Sequence, residues 1–193
     1  MIVITGPSAS GKTATCLYLQ SHFGIRKVVT HTTRTMRIGE KNGVDYHFVD
    51  KEEFLRMKAN GEFVETVFYN DNYYGTSKKE VRIDKCLAVE LNGAKVYKSL
   101  NDPRVVLFYL RADEGQRQRR MQERGDSPEK IASRIVNDRE AFKMDEETER
   151  QIDCYVDTES HTLEEVSSII YEKYLAILKE RGIEYSEELK KPE

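Results

Sequence analysis

Cysteine is scarce in this 193-residue chain: Cys16, Cys86 and Cys154 are odd in number, widely spaced and form no C-x-x-C pair. A disulfide framework or a structural zinc site is therefore not expected, and a reducing cytoplasm suits the composition. Long apolar runs are missing too. The longest, residues 105–110, is far below the roughly 18 residues of a membrane span. No basic segment precedes the first strand-like residues, so no signal peptide is expected. Charge of one sign is not in excess: 31 basic against 34 acidic residues leave a net charge of −3, which argues against a general nucleic-acid binder. The four histidines, His22, His31, His47 and His161, have no metal-ligand spacing. There is no internal repeat and no low-complexity linker.

What is present suits one domain at about 150 residues per domain. Hydrophobic residues are 38 % and charged residues 34 %, the latter above the usual ~25 %. That is enough apolar material for one core under a charged surface. The pattern alternates. Strands are expected at residues 2–5, 27–29, 46–49, 62–69, 73–76, 86–91, 104–110 and 154–156. Helices are expected at 12–22, 51–60, 92–100, 113–124, 128–149 and 163–180. Strands alternating with helices imply an α/β fold with a parallel sheet flanked by helices on both faces. Residues 30–76 break the alternation and read as an inserted lobe.

Gly6-Pro7-Ser8-Ala9-Ser10-Gly11-Lys12-Thr13 satisfies the pattern G-x-x-x-x-G-K-[ST]. A strand precedes it and a helix follows, which is the order a phosphate cradle needs. Glycines let backbone N–H groups turn inward, and a helix N-terminus adds partial positive charge. Lys12 is placed to reach the β- and γ-phosphates of a nucleoside triphosphate, and the Thr13 hydroxyl to bind Mg²⁺. Cys16, on the following helix, reads as packing.

A second anion site is suggested by residues 30–48, where Arg34 and Arg37 stand three apart among hydroxyl groups. Glu65 and the turn Tyr73-Tyr74-Gly75-Thr76 are available to close a pocket. Here the sequence resembles the guanylate kinase family: its T-T-R-x-x-R-x-G-E-x-x-G-x-D-Y-x-F signature stands at residues 32–48, followed by E-F-V-E and Y-Y-G-T. The resemblance spans about residues 1 to 176. It implies a P-loop core with an inserted GMP-binding lobe and a helical lid. It places Arg34, Arg37, Tyr46 and Tyr74 on the GMP phosphate, and Thr30, Glu65 and Thr76 on the guanine. Chemistry agrees: a carboxylate at Glu65 can accept from N1–H and the 2-amino group, and hydroxyls can donate to O6. Glu40, grouped with the GMP-binding residues, is expected to fix its loop by pairing with an arginine. Glu90 is grouped with them too.

The resemblance also marks a lid, with Arg120, Arg124 and Arg134 on matching positions. With Lys12 and Arg37 these are the expected catalytic residues, because phosphoryl transfer is mostly positioning and neutralisation of charge. Arg117, Arg119 and Arg139 are expected to be surface charges, and Asp157 to lie near the adenine. Three departures stand out. Ala88 occupies the first acidic position of the family's L-D-x-D strand, with Glu90 at the second. The link between Thr76 and Cys86 is about five residues short, leaving a helix of little more than two turns. Thr30 replaces a serine.

The resulting expectation is a single guanylate-kinase-like domain over 1–193, with core segments 1–29, 77–112 and 151–180. The GMP-binding lobe is 30–76, the lid 113–150 and a charged tail 181–193. The implied reaction is ATP + GMP to ADP + GDP, with Mg²⁺ as cofactor. The expected partners are ATP and GMP, with no nucleic acid and no membrane, in the cytoplasm. The alternatives are a related kinase with a deoxy or modified acceptor, and a catalytically weak binding module, the latter motivated by Ala88.

Overall fold

The structure, a computed structural model, describes residues 1–185. Its core is a five-stranded parallel sheet ordered β2-β7-β1-β8-β9, built from β1 (Ile2–Thr5), β2 (Arg26–Lys27), β7 (Lys85–Ala88), β8 (Val106–Arg111) and β9 (Cys154–Asp157). Every residue of β1 is buried, so side chains on both of its faces meet helices, as a central parallel strand requires. Ile2 and Ile4 join Val106, Phe108 and Leu110 under α1 (Lys12–Phe23) and α7 (Leu163–Glu180). On the other face, Val3, Val105 and Leu107 pack with Ala94 and Tyr97 of α3 (Leu91–Ser99) and with Ile152, just beyond α6 (Glu146–Gln151). The period-2 alternation of these strands decides which helix each residue meets.

A smaller sheet, ordered β4-β3-β6-β5, carries the inserted segment. It comprises β3 (His31–Thr32), β4 (His47–Phe48), β5 (Phe63–Tyr69) and β6 (Asn72–Ser77). The β5–β6 hairpin turns through Asn70 and Asp71, both at positive φ (45° and 58°). Such a two-residue turn matches strand twist and favours these residue types. Helix α2 (Lys51–Ala59), capped by Asp50, covers the sheet with Phe54 and Met57 against Phe63. A helical hairpin of α4 (Glu114–Glu123) and α5 (Pro128–Ala141) completes the fold.

Three expectations about elements are corrected. The long helix over 128–149 is two: α5 stops at Ala141, and α6 restarts after Asp145, whose side chain accepts from Thr148 N–H at 2.7 Å. Phe142 and Met144, between them, turn partly inward. The short link after β6 is not a two-turn helix but a single 3₁₀ turn, Lys78–Glu80, capped by Ser77. Finally, strand β7 ends at Ala88, because Glu90 is already the N-cap of α3.

Candidate nucleotide site

The phosphate loop leaves β1 at Gly6, whose φ is +147°. A Cβ there would lie 2.6 Å from Leu110 O and 2.9 Å from Ser10 Oγ, so only glycine lets the loop pass this close to β8. Ala9 (φ 61°) and Gly11 (φ 102°) also take left-handed conformations, which aim successive N–H groups into one hollow. Gly11 caps α1 without a side-chain bond, and the first turn of α1 carries no acidic residue. Its amide groups and dipole are thus open to an anion. The Lys12 ammonium donates to the carbonyls of Gly6 (2.5 Å) and Pro7 (3.1 Å). Burial lowers its pKa from the usual lysine value, and the Glu90 charge opposes that shift. The Ser10 and Thr15 hydroxyls are buried with no hydrogen-bond partner.

The outer side of the loop is held in a way the sequence did not reveal. Ser8 donates from its N–H (2.9 Å) and its hydroxyl (3.0 Å) to the Asp138 carboxylate on α5. Arg117 on α4 pairs with the same carboxylate at 2.5 Å, both side chains being 8 % exposed. Arg117 is thus buried rather than the surface charge expected. Arg119 is exposed, and Arg139 makes a surface pair with Glu114.

Beside the loop lies a cavity of about 250 Å³, bordered by Thr15, Arg120, Thr158, His161, Leu163 and Val166. Its lining is mostly apolar, which suits a flat ring. Arg120 stands at its edge, donating to the Ala9 carbonyl (3.2 Å) and to Thr158 Oγ1 (3.0 Å) and O (2.5 Å). Asp157 does not border this cavity. It borders a separate, more open one near Tyr109, Arg111 and Tyr155, and its carboxylate accepts from Glu159 N–H. Arg124 and Arg134 are not brought to the phosphate loop. Both reach Asp126 at the α4–α5 turn (2.6 and 3.0 Å) and are exposed.

The second candidate site lies on the smaller sheet. Thr30 precedes β3, and its carbonyl accepts from His47 N–H at 2.9 Å. Arg34 lies 5.4 Å from the Tyr46 ring centre and 5.6 Å from that of Phe48. The Tyr46 and Tyr74 rings meet edge to face at 6.1 Å. Glu40 is bound by the Arg34 guanidinium (2.6 Å) and the Arg37 N–H (2.7 Å). It is therefore a brace for the loop, and these bonds hold its carboxyl below the usual range while raising Arg34. The Arg37 side chain is exposed and bonded to no other described residue. Glu65 on β5 stands directly across from Thr76 on β6. Gly75 lets this hairpin lie close to its core: a Cβ there would be 3.0 Å from the Phe63 ring and 3.1 Å from Glu65 O.

Glu90 sits exposed where β7 meets α3, with its charge felt at Lys12. Ala88 offers no donor, and no group of three or more His, Cys, Asp or Glu that could hold a metal occurs among the described residues. The Thr13 hydroxyl, exposed on the first turn of α1, and the Glu90 carboxylate are the donors near the loop. This sparse set fits a Mg²⁺ ion carried by nucleotide phosphates, since Mg²⁺ keeps several waters and takes one or two protein carboxylates or hydroxyls.

A family model described as guanylate kinase matches residues 1–173. The guanylate kinase of Chromohalobacter salexigens is 34 % identical over 179 residues, covering 89 % of this chain and 82 % of the relative. That of Desulfotalea psychrophila is 36 % identical over 146 residues, covering 71 % and 72 %. Among solved structures, a guanylate kinase from Anaplasma phagocytophilum superposes with a TM-score of 0.54 at 25 % identity, covering 96 % of both chains.

Proposed function

The chain belongs to the guanylate kinase family, and from that premise we propose that it transfers the γ-phosphate of ATP to GMP, giving ADP and GDP. The observation that carries the reading is the pairing of an open backbone cradle at Gly6–Thr13 with a second site where Glu65 faces Thr76 across a hairpin. One site takes phosphate without regard to base. The other offers a carboxylate and a hydroxyl to a guanine edge.

The chain's parts take these roles. Residues 1–29, 77–112 and 151–180 form the core, 30–76 the acceptor lobe and 113–150 the lid. Residues 181–185, expected to begin a charged tail, instead close on the core, with Arg181 donating to the Pro103 and Val105 carbonyls and pairing with Asp153 while Ile183 packs against that core; residues beyond 185 lie outside the described structure. ATP phosphates sit on the loop amides, and Lys12 leaves the Gly6 and Pro7 carbonyls for the β- and γ-phosphates. The adenine occupies the slot beside Arg120, Thr158 and His161. Arg37, free of ion pairs among the described residues, binds the GMP phosphate with Arg34, Tyr46 and Tyr74. Thr30, Glu65 and Thr76 read the base, and Glu90 stands between the two sites. Thr13, with Glu90 through water, would hold Mg²⁺, which neutralises phosphate charge when bound.

No general base is required, because the acceptor's phosphate oxygen is already ionised near neutral pH. That oxygen attacks the γ-phosphorus in line as the bond to the ADP oxygen breaks. Arg120, Arg124 and Arg134 supply charge as the lid closes, the last two exchanging Asp126 for phosphate. Closure excludes water and so suppresses ATP hydrolysis. Among the described residues no helix is long and apolar enough to cross a membrane.

The test is an ADP-release assay with Mg-ATP and GMP, dGMP, AMP, CMP or UMP, on wild type and Ala88→Asp. The expected result is turnover with GMP far above AMP, CMP and UMP, already present in wild type and not dependent on Ala88→Asp. No turnover in wild type with a gain in Ala88→Asp would replace the proposal with a fold that binds nucleotide without efficient transfer.

A further inference from the structure

Tyr97 is a side chain that neither the core nor the site accounts for. It lies on α3, is 1 % exposed and sits among Met1, Val3, Val28, Ala94 and Leu107. All of these neighbours are apolar, and the ring fits them as any aromatic would. Its hydroxyl, however, is buried with no hydrogen-bond partner. Phenylalanine would fill the same space without stranding a polar atom, and a buried unsatisfied donor is a net cost to the fold. Helix α3 packs on β5, the strand that carries Glu65. Thr76 comes within reach of the phenol without meeting hydrogen-bond geometry, and the charges of Glu65 and Glu80 bear on it. The orphan hydroxyl therefore lies on the side of α3 that packs on β5, within reach of Thr76.

We propose that Tyr97 is a positioning residue for base recognition: with the acceptor bound, its hydroxyl donates to Thr76 Oγ1 and turns the Thr76 proton outward toward the carbonyl O6 of the base. The proposal rests on the assignment of Glu65 and Thr76 to the guanine. A hydroxyl can donate once and accept twice. Left alone, Thr76 could present either a proton or a lone pair to a base, and adenine's 6-amino group needs the lone pair. A donor to Thr76 biases it to the proton and hence to guanine. Burial pushes the phenol of Tyr97 above its usual pKa, so it remains a donor throughout the neutral range. Linked hydroxyls also polarise one another in a dry setting.

The experiment compares Tyr97→Phe with wild type, using GMP and inosine monophosphate, which keeps O6 and N1–H but lacks the 2-amino group. The KM for both acceptors should rise by the same factor, about 3- to 10-fold for one lost neutral hydrogen bond. Turnover should stay within about twofold and the KM for ATP should not move. The thermal midpoint should be unchanged or higher, because the variant removes an orphan and no packing. In a Thr76→Val background, Tyr97→Phe should have no further effect on acceptor KM. An unchanged GMP KM in Tyr97→Phe, while Glu65→Gln still loses GMP, would leave Tyr97 a packing residue and end the proposal. So would a loss shared by ATP KM and thermal midpoint, which marks a structural effect. If Glu65→Gln and Thr76→Val both leave GMP use intact, the base-site assignment fails, and the proposal with it.

Discussion

The two anion sites of this molecule are made of different material. The phosphate loop is built from backbone: its amides are aimed by Gly6, Ala9 and Gly11 at positive φ, and it leaves a strand whose residues are all buried. The proposed acceptor site is built from side chains: Glu65 and Tyr74 on the smaller sheet, whose own core is Phe54, Met57 and Phe63, and Arg34, Arg37 and Tyr46 from the loop between β3 and β4. Backbone amides see phosphate and nothing else, so the first site is fixed and indifferent to the base. Side chains can match a particular donor and acceptor pattern, so the second is selective. A transfer enzyme needs both, one partner held still and the other chosen and brought to it.

The sharpest way to break this contrast is Lys12→Ala. The ammonium is the one side-chain cation within the loop itself. Its loss should cut turnover by about 10³-fold, the scale of removing a charge-stabilising donor from phosphoryl transfer. GMP affinity, measured by calorimetry, should stay within about twofold, because the two sites share no bond. A matching loss of GMP affinity would show that the sites are one unit and that the comparison is wrong.

The next effect concerns stability. The loop's outer side is tied to α4 and α5 by Asp138, which receives Ser8 twice and Arg117 once. Arg117→Ala leaves the buried Asp138 charge with its two Ser8 donors but no cation, at a site where both partners are 8 % exposed. Breaking a pair of this kind costs about 3 kcal/mol. Urea denaturation should show this loss. The KM for GMP should remain near the wild-type value, since no part of this clamp reaches the smaller sheet. Unchanged stability would mean that the backbone alone holds the loop.

The clamp also marks where the sequence was silent. The glycine loop was legible because its spacing is local: Gly6, Gly11, Lys12 and Thr13 lie within eight residues. The acceptor segment was legible for the same reason, as one continuous run from Thr30 to Phe48. The brace between Glu40 and Arg34 follows from a separation of six residues. Arg117 and Asp138 are 21 residues apart and both meet Ser8, 109 and 130 positions away. Nothing in a charged helical pattern separates them from Arg119 or Arg139. Tyr97 was hidden differently: on an amphipathic helix it reads as a core aromatic, and only the unsatisfied hydroxyl sets it apart. The break at 142–145 has no glycine or proline to announce it. It exists because Asp145 caps a new helix.

The smallest predicted effect separates the sites by pH. Burial lowers the pKa of Lys12 below the usual lysine value. Bound phosphate raises it again, since an anion favours the ammonium form. ATP binding should therefore take up a fraction of a proton where pH lies between the free and bound values. Affinity for ATP should weaken a few-fold as pH rises from neutral into the alkaline range, where the free lysine loses its proton first. Arginine does not titrate in that range, and Glu40 raises Arg34 further. The acceptor phosphate site should be flat over the same interval, kept below the pH at which the guanine N1–H ionises. Calorimetry in buffers of different ionisation enthalpy measures the uptake directly. It should appear for ATP, vanish for ATP in Lys12→Ala, and be absent for GMP. Uptake that persists in Lys12→Ala would assign the shifted proton to another group and remove the lysine as the source of the difference between the two sites.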